Sequence, residues 1–315
     1  MTILLIVVLK KLSAKQHVDQ AIQVNNTFRK FIPQQFFEHH VNYGSELFGS
    51  GKADNLAILF CDIRGFTGLS EQMAPQELMN FLNGYFKRMN GPIHQNGGFI
   101  DKFIGDATMA IFDHPGGSNS DKALDAISAA LALRCAIDAY NEHRITRNFS
   151  PIVIGIGIHF GPVVIGAIGC EHRMETTVIG DSVNIAYRLE ALAPIYNTDI
   201  VVSGQTLDVA EASKYFGYRL LDWVRVKGRA TPIEIYELID HQAKSVQQIK
   251  FANAHLIRQG LKCRIKQQWP KALDYFQQAL AINPEDTLVL HHIGQCEILQ
   301  TQTLAKNWDG ALVLG

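Results

Sequence analysis

The sequence predicts an α+β fold: a mixed sheet with helices on one face, followed by a short all-helical segment. Three observations predict it. Between Asp54 and about Asp240, apolar runs of strand length alternate with longer runs at helical spacing, in the order β-α-β-β-α-β. Gly105-Asp106 joins two of the short apolar runs, as in a tight hairpin. Beyond about Phe251 the strand patterns stop, and Gly260 and Gly294, like Leu256 and Leu290, recur 34 residues apart.

Each element has its own signal. Leu56 to Ile63 is a nearly continuous apolar run that reads as a buried strand, and Leu78, Phe81, Leu82, Tyr85, Phe86, Met89 and Ile93 follow at helical spacing. Phe99 to Ile104 and Ala107 to Phe112 form the hairpin, and a helix spans Lys122 to Tyr140. Ile152 to Phe160 and Val163 to Ile168 read as a second strand pair broken at Gly161-Pro162. Ser182 to Leu192 is a helix that stops near Pro194, and strands are expected near Ile200 to Val202, Tyr218 to Val226 and Ile233 to Leu238.

The chain divides into three parts. Residues 1–51 are helical in character, cluster Phe28, Phe31, Ile32, Phe36 and Phe37 around Pro33, and end at Gly49, Ser50 and Gly51, as an entry helix and dimerisation linker would. Residues 52–240 form the α+β domain. Residues 250–315 carry the period of the tetratricopeptide repeat, with Gly260, Ala272, Phe276, Ala279 and Pro284 at its small and bulky positions. The second unit is irregular: Trp308, Ala311 and Leu312 echo Trp269, Ala272 and Leu273 at a spacing of 39. One and a half repeats cannot bury their own apolar faces, so either the α+β domain or further repeats must cover them.

Composition removes several classes. With 29 basic and 30 acidic residues, the net charge of −1 provides no global field for nucleic acid. At 47% hydrophobic and 19% charged residues the 315-residue chain has ample core for a folded domain of enzyme size and a smaller partner. The five cysteines are scattered and never form a CxxC pair, which argues against a disulfide framework or a zinc site and for a reducing, cytoplasmic setting. The opening apolar run, Ile3 to Leu9, is seven residues long and cannot span a membrane, so no transmembrane segment is expected in this chain.

The candidate chemistry lies in three segments. Asp62 ends the first strand and opens Asp62-Ile63-Arg64-Gly65-Phe66-Thr67, where a strand, a tight loop and a helix start offer backbone N–H groups beside a carboxylate. Asp106 follows 44 residues later in the hairpin turn; taken alone a Gly-Asp turn is only a turn, but beside the first strand the two carboxylates would meet. Asn184 and Arg188 are four apart on one helix face, where an amide can fix a sugar and a guanidinium can neutralise phosphate charge.

Together the segments Phe60-Cys61-Asp62-Ile63-Arg64-Gly65-Phe66-Thr67, Asp101-Lys102-Phe103-Ile104-Gly105-Asp106 and Thr177-Val178-Ile179-Gly180-Asp181-Ser182-Val183-Asn184-Ile185-Ala186-Tyr187-Arg188 resemble the catalytic domain of class III nucleotidyl cyclases, from about Asn55 to Leu238. The resemblance implies a ferredoxin-like palm and an adenylyl cyclase that converts ATP to 3′,5′-cyclic AMP and pyrophosphate. It implies that Asp62, Asp106 and the backbone of Ile63 hold two Mg²⁺ or Mn²⁺ ions, and that Phe66 and Thr67 border the triphosphate. Lys102 and Thr177 match the base-reading positions; an ammonium donor suits adenine N1, and the hydroxyl accepts from the exocyclic amine. A Lys/Thr pair resembles the subgroup associated with bicarbonate stimulation. Lys227 and Arg173 match positions that reach the phosphates, and Asn184 and Arg188 those that act on the transition state. Sites in this family form at a dimer interface, so a homodimer would hold two complete ones, with the repeats free to engage a protein partner. The competing readings are a catalytically weak nucleotide sensor or scaffold working through the repeats, and a guanylyl cyclase.

Overall fold

The computed structural model describes residues 51–170, 172–226, 231–305 and 308–314, so the linker expected over residues 1–51 lies almost wholly outside the described residues. The elements run β1 (Lys52–Ile63), α1 (Phe66–Ser70), α2 (Pro75–Gln95), β2 (Gly98–Ile104), β3 (Ala107–Phe112), α3 (Asn119–Ile145), β4 (Ile154–Cys170), β5 (Arg173–Ile179), α4 (Asp181–Leu192), β6 (Ile200–Ser203), α5 (Gly204–Val209), β7 (Tyr218–Val226), β8 (Ile233–Leu238), α6 (Lys244–Ile265), α7 (Trp269–Ile282), α8 (Thr287–Leu299) and β9 (Leu312–Leu314). Residues 53–164 and 179–314 group as one compact unit, and the β4–β5 arm, residues 165–178, groups separately.

The sheet runs β2-β3-β1-β4-β6-β8-β7-β9, with β5 paired to β4. Its first four members, β2-β3-β1-β4, give the strand order of the palm. β1 is antiparallel to β3, with Phe60 opposite Met109 and Cys61 opposite Thr108, which brings the end of β1 to the turn between β2 and β3. That turn needs glycine, because Gly105 has φ +65°. The side chains of β3 are buried throughout, and α2 buries Phe81, Tyr85, Met89 and Ile93 at a spacing of four. A capping box, in which the Ser118 hydroxyl accepts from the Asp121 amide and the Asp121 carboxylate accepts from the Ser118 amide, starts α3. On the sheet, α4 meets β4 at backbone distance: a Cβ on Gly157 would stand 2.2 Å from the Glu190 nitrogen and 2.4 Å from the Ala186 oxygen. No larger residue fits there with α4 in place.

Two expectations need correction. The segments placed on either side of Gly161-Pro162 are not a hairpin but one 17-residue strand, β4, whose hairpin partner is β5. Pro162 is exposed, where its missing N–H costs the ladder little, and its carbonyl accepts a hydrogen bond from Ser182 Oγ (2.9 Å). The repeat echo at Ala311 and Leu312 is not a helix either, because the chain re-enters the sheet there as β9, parallel to β7, with Val224 opposite Leu312. Trp308 instead packs its ring 6.0 Å from that of Trp269.

The α+β sheet covers the C-terminal helices. Gly260 lets α6 meet Phe276 of α7, whose ring a Cβ would approach to 2.5 Å, and His292 of α8 stacks on the same ring at 5.1 Å. Two buried ionic clusters fasten these helices to β7. In one, Arg219 donates to Glu237 (2.6 Å), Asp286 (2.6 Å) and Asn253 (3.1 Å). In the other, Arg264 donates through both terminal nitrogens to Asp222, which also accepts from Tyr196 Oη (2.9 Å). Burial alone would raise the Asp222 carboxyl, and Arg264 reverses that, holding it below the ordinary range. Burial pushes His292 down to about 3. It is therefore neutral, donating from Nε2 to the Leu221 carbonyl (2.8 Å). Among the described residues no helix is long and apolar enough to cross a membrane.

Candidate active site

The end of β1 and the β2–β3 turn build the centre of the site. The Ile63 amide donates both to Asp62 Oδ1 (3.0 Å) and to Asp106 Oδ2 (3.2 Å), so one N–H holds the two carboxyl groups together. Neither carboxylate pairs with a cationic side chain among the described residues. Burial, then the hydrogen bond and negative charge of Asp106, push the Asp62 carboxyl from the ordinary 3.8 up to about 7. A carboxyl shifted in this direction resists ionisation until a cation offsets its charge. Two hard oxygen donors around a shared backbone contact, with no positive partner, fit a divalent metal ion.

Sequence reasoning assigned no role to two neighbours of this pair. Arg64 fixes the loop after Asp62: its amide donates to the Val153 carbonyl (2.8 Å) and its guanidinium to the Thr198 carbonyl. Glu190, half-buried on the inner face of α4, has its carboxyl raised by burial, eased by Arg64 and raised again by the charge of Asp106. Its position two residues after Arg188 was the available signal, but a helix turns that position away from Arg188.

The other described candidates lie on β2, α1, α4 and β5. Lys102 lies on β2 beside Asp101 (3.6 Å), where the register between β2 and β3 shifts between Ile100 and Lys102, an irregularity that re-aims the side chains after it. Phe66 is half-buried at the start of α1 and packs on the core, and Thr67 beside it is exposed. Asn184 is exposed and Arg188 half-exposed on the outer face of α4, and neither makes a side-chain hydrogen bond or ion pair among the described residues. Between them Tyr187 stands edge-on to Phe60 of β1, ring centres 5.4 Å apart, which ties that face to the strand bearing Asp62. In the arm, Thr177 is buried within β5 and Arg173 is exposed at its start. Lys227 lies outside the described residues.

Comparison with known proteins identifies the family. Residues 49–240 match the family model of the adenylate and guanylate cyclase catalytic domain. The chain belongs to that family. It is 40% identical over 220 residues to an adenylate cyclase of Anabaena cylindrica, covering 68% of this chain and 43% of that protein. It is 33% identical over 287 residues to the terminal-differentiation specific adenylate cyclase of Dictyostelium discoideum, covering 90% of this chain and 13% of that one. The chain thus spans less than half the length of these curated relatives. Among solved structures, the adenylyl cyclase CyaB of P. aeruginosa superposes with a TM-score of 0.56 at 30% identity, covering 62% of this chain and 98% of that chain. The guanylyl cyclase Cya2 does so with a TM-score of 0.53 at 35% identity, covering 60% and 93%.

Proposed function

We propose that this protein is an adenylyl cyclase that converts ATP to 3′,5′-cyclic AMP and pyrophosphate in a homodimer. The observation that carries the reading is the Asp62–Asp106 pair gathered on the Ile63 amide without a cationic partner among the described residues. Two divalent ions, Mg²⁺ or Mn²⁺, held by these carboxylates and the Ile63 backbone, would supply acidification of the ribose 3′-hydroxyl and neutralisation of the triphosphate. The chain's own residues do the rest. Asp62 must be ionised to act, so a cation in the site would favour loss of its proton. Phe66 and Thr67 border the phosphates, with Arg173 and Lys227 in supporting contact. Lys102 donates to adenine N1 and Thr177 accepts from the exocyclic amine, a pairing that guanine reverses at N1. Asn184 positions the ribose and Arg188 neutralises charge that builds on the α-phosphate as pyrophosphate leaves.

The free outer face of α4 supports the dimer. Asn184 and Arg188 have no partner within the described chain, and Tyr187 is 54% exposed. Phe103 and Ile104, at 47% and 50% exposed, give the end of β2 an apolar surface of the kind a second copy covers. The helices from Lys244 onward read as a tetratricopeptide-like element that a protein partner can use, since Leu290 and Ile298 of α8 remain outside the core at 48% and 52%.

Because a guanylyl cyclase is among the structural relatives, the test offers both nucleotides. Purified protein given ATP or GTP, with Mg²⁺ or Mn²⁺, should form cyclic AMP from ATP and little cyclic product from GTP. Cyclic GMP in excess of cyclic AMP would overturn the Lys102 and Thr177 reading, and no cyclic product from dimeric protein would leave the sensor reading in its place.

A further inference from the structure

On the helical layer, a cavity of about 320 Å³ opens between α2 and the end of α3 with the connector that follows. Its chemistry is unlike that of the acidic pair. Arg144, Arg88 and Arg147 line it together with Tyr140 and Phe149, and Glu77 is the one acidic residue of the lining among the described residues. Arg144 is only 6% exposed, yet no carboxylate pairs with it among the described residues. Its guanidinium packs among Phe81, Tyr140 and Phe149 at 5.1, 5.6 and 5.5 Å from the ring centres, and Nε donates to the Ser150 carbonyl (2.8 Å). Arg88 lies 4.0 Å over the Tyr140 ring and donates to the Gly84 carbonyl (2.7 Å). Arg147 is exposed at the rim, also without an acidic partner among the described residues.

A buried guanidinium is costly unless paired, and aromatic faces with one carbonyl return only part of that cost. The walls are also held in place. Asn141 clamps Ile152 through both its amide atoms (2.8 Å each), and the Phe149 amide donates to the Arg144 carbonyl (3.0 Å). A preorganised, aromatic-walled cavity with a surplus of guanidinium groups matches a planar anion, because the Arg fork meets a carboxylate edge-on while the rings take an apolar body. Glu77 on the α2 wall repels a second negative charge.

We propose that this cavity is a binding site for a small organic monocarboxylate with a flat apolar body. The site is separate from the residues of the cyclase reading and does not depend on it. Isothermal titration of the full-length chain with benzoate, benzyl alcohol and inorganic phosphate tests it. Saturable benzoate binding is expected, with benzyl alcohol, which keeps the ring and loses the charge, and phosphate each weaker by about ten-fold or more. Arg144→Lys keeps the charge and removes the fork, and Arg147→Glu reverses charge at an exposed rim position where folding is not at stake. Both should weaken benzoate by about ten-fold or more. Arg144 would be only a brace for the connector, and the proposal overturned, if benzoate failed to saturate, if benzyl alcohol bound as well, or if Arg147→Glu bound benzoate like the parent.

Discussion

Two groups of acids in this molecule, one buried and one half-buried, meet opposite fates. At the C-terminal junction Asp222 is fully buried against Arg264, while Asp286 and Glu237 share Arg219. At the end of β1, Asp62 and Asp106 face each other across a single amide with no cationic partner among the described residues. The first arrangement lowers the Asp222 carboxyl despite burial, whereas the second raises Asp62 to about 7. Satisfied ion pairs are what a fold uses to fix one docking of its elements. An unsatisfied acid pair destabilises the fold that contains it, and under the cyclase reading a bound cation relieves that cost.

The largest effect should come from breaking the acid pair. Asp62→Asn or Asp106→Asn should lower cyclic AMP formation by about a thousand-fold, the scale of several kcal/mol expected for removing metal-held charge stabilisation. Asp62→Asn should at the same time raise the melting temperature of metal-free protein, because it removes a carboxyl that folding disfavours. Ordinary turnover in either variant would remove the metal assignment.

The junction should respond in the opposite sense. Arg264→Met or Asp222→Asn leaves a buried partner without its counterpart and should cost about 3–5 kcal/mol in denaturant unfolding. The double substitution should recover part of that loss. If the single changes cost less than about 1 kcal/mol, the helices are held by apolar contact rather than by these ions.

Arg188→Ala tests the role proposed for α4. It should lower kcat by about a hundred-fold with KM little changed, since its contact strengthens as charge develops. Mixing it with Asp62→Ala chains should restore activity if two copies share each site. Failure in proven heterodimers would place the site within one chain.

Much of this contrast was open to sequence reasoning on one side and closed on the other. Asp62 stands at the end of an apolar run, a local signal, whereas Asp106 in its Gly-Asp turn reads only as a turn until the resemblance sets it beside Asp62. The pairing of β4 with β5 was not legible, because a proline in an apolar run reads as a break unless the strand is known to leave its N–H side open. Arg264 and Asp222 are 42 residues apart and look like ordinary surface charges; only the return of the chain as β9 and the docking of α6 on β7 bury them. Glu190 was hidden for a similar reason, its inward direction being set by the contact at Gly157.

A pH effect of smaller size follows from Asp62. Its folded value of about 7 lies above the ordinary 3.8. The metal-free fold therefore binds this proton more tightly than the unfolded chain, and the stability it lends is complete below about pH 4 and lost as pH rises through 7. A metal ion competes with that proton, so Mg²⁺ should bind more tightly at pH 8 than at pH 6.

The most direct test of the central claim is the melting temperature of metal-free protein at pH 8, with and without Mg²⁺ or Mn²⁺, in the parent chain and in Asp62→Asn. If Asp62 and Asp106 form a cation site, metal raises the parent's melting temperature, while the variant starts higher and barely responds. A parent indifferent to metal, or a variant that gains as much as the parent, would contradict the account.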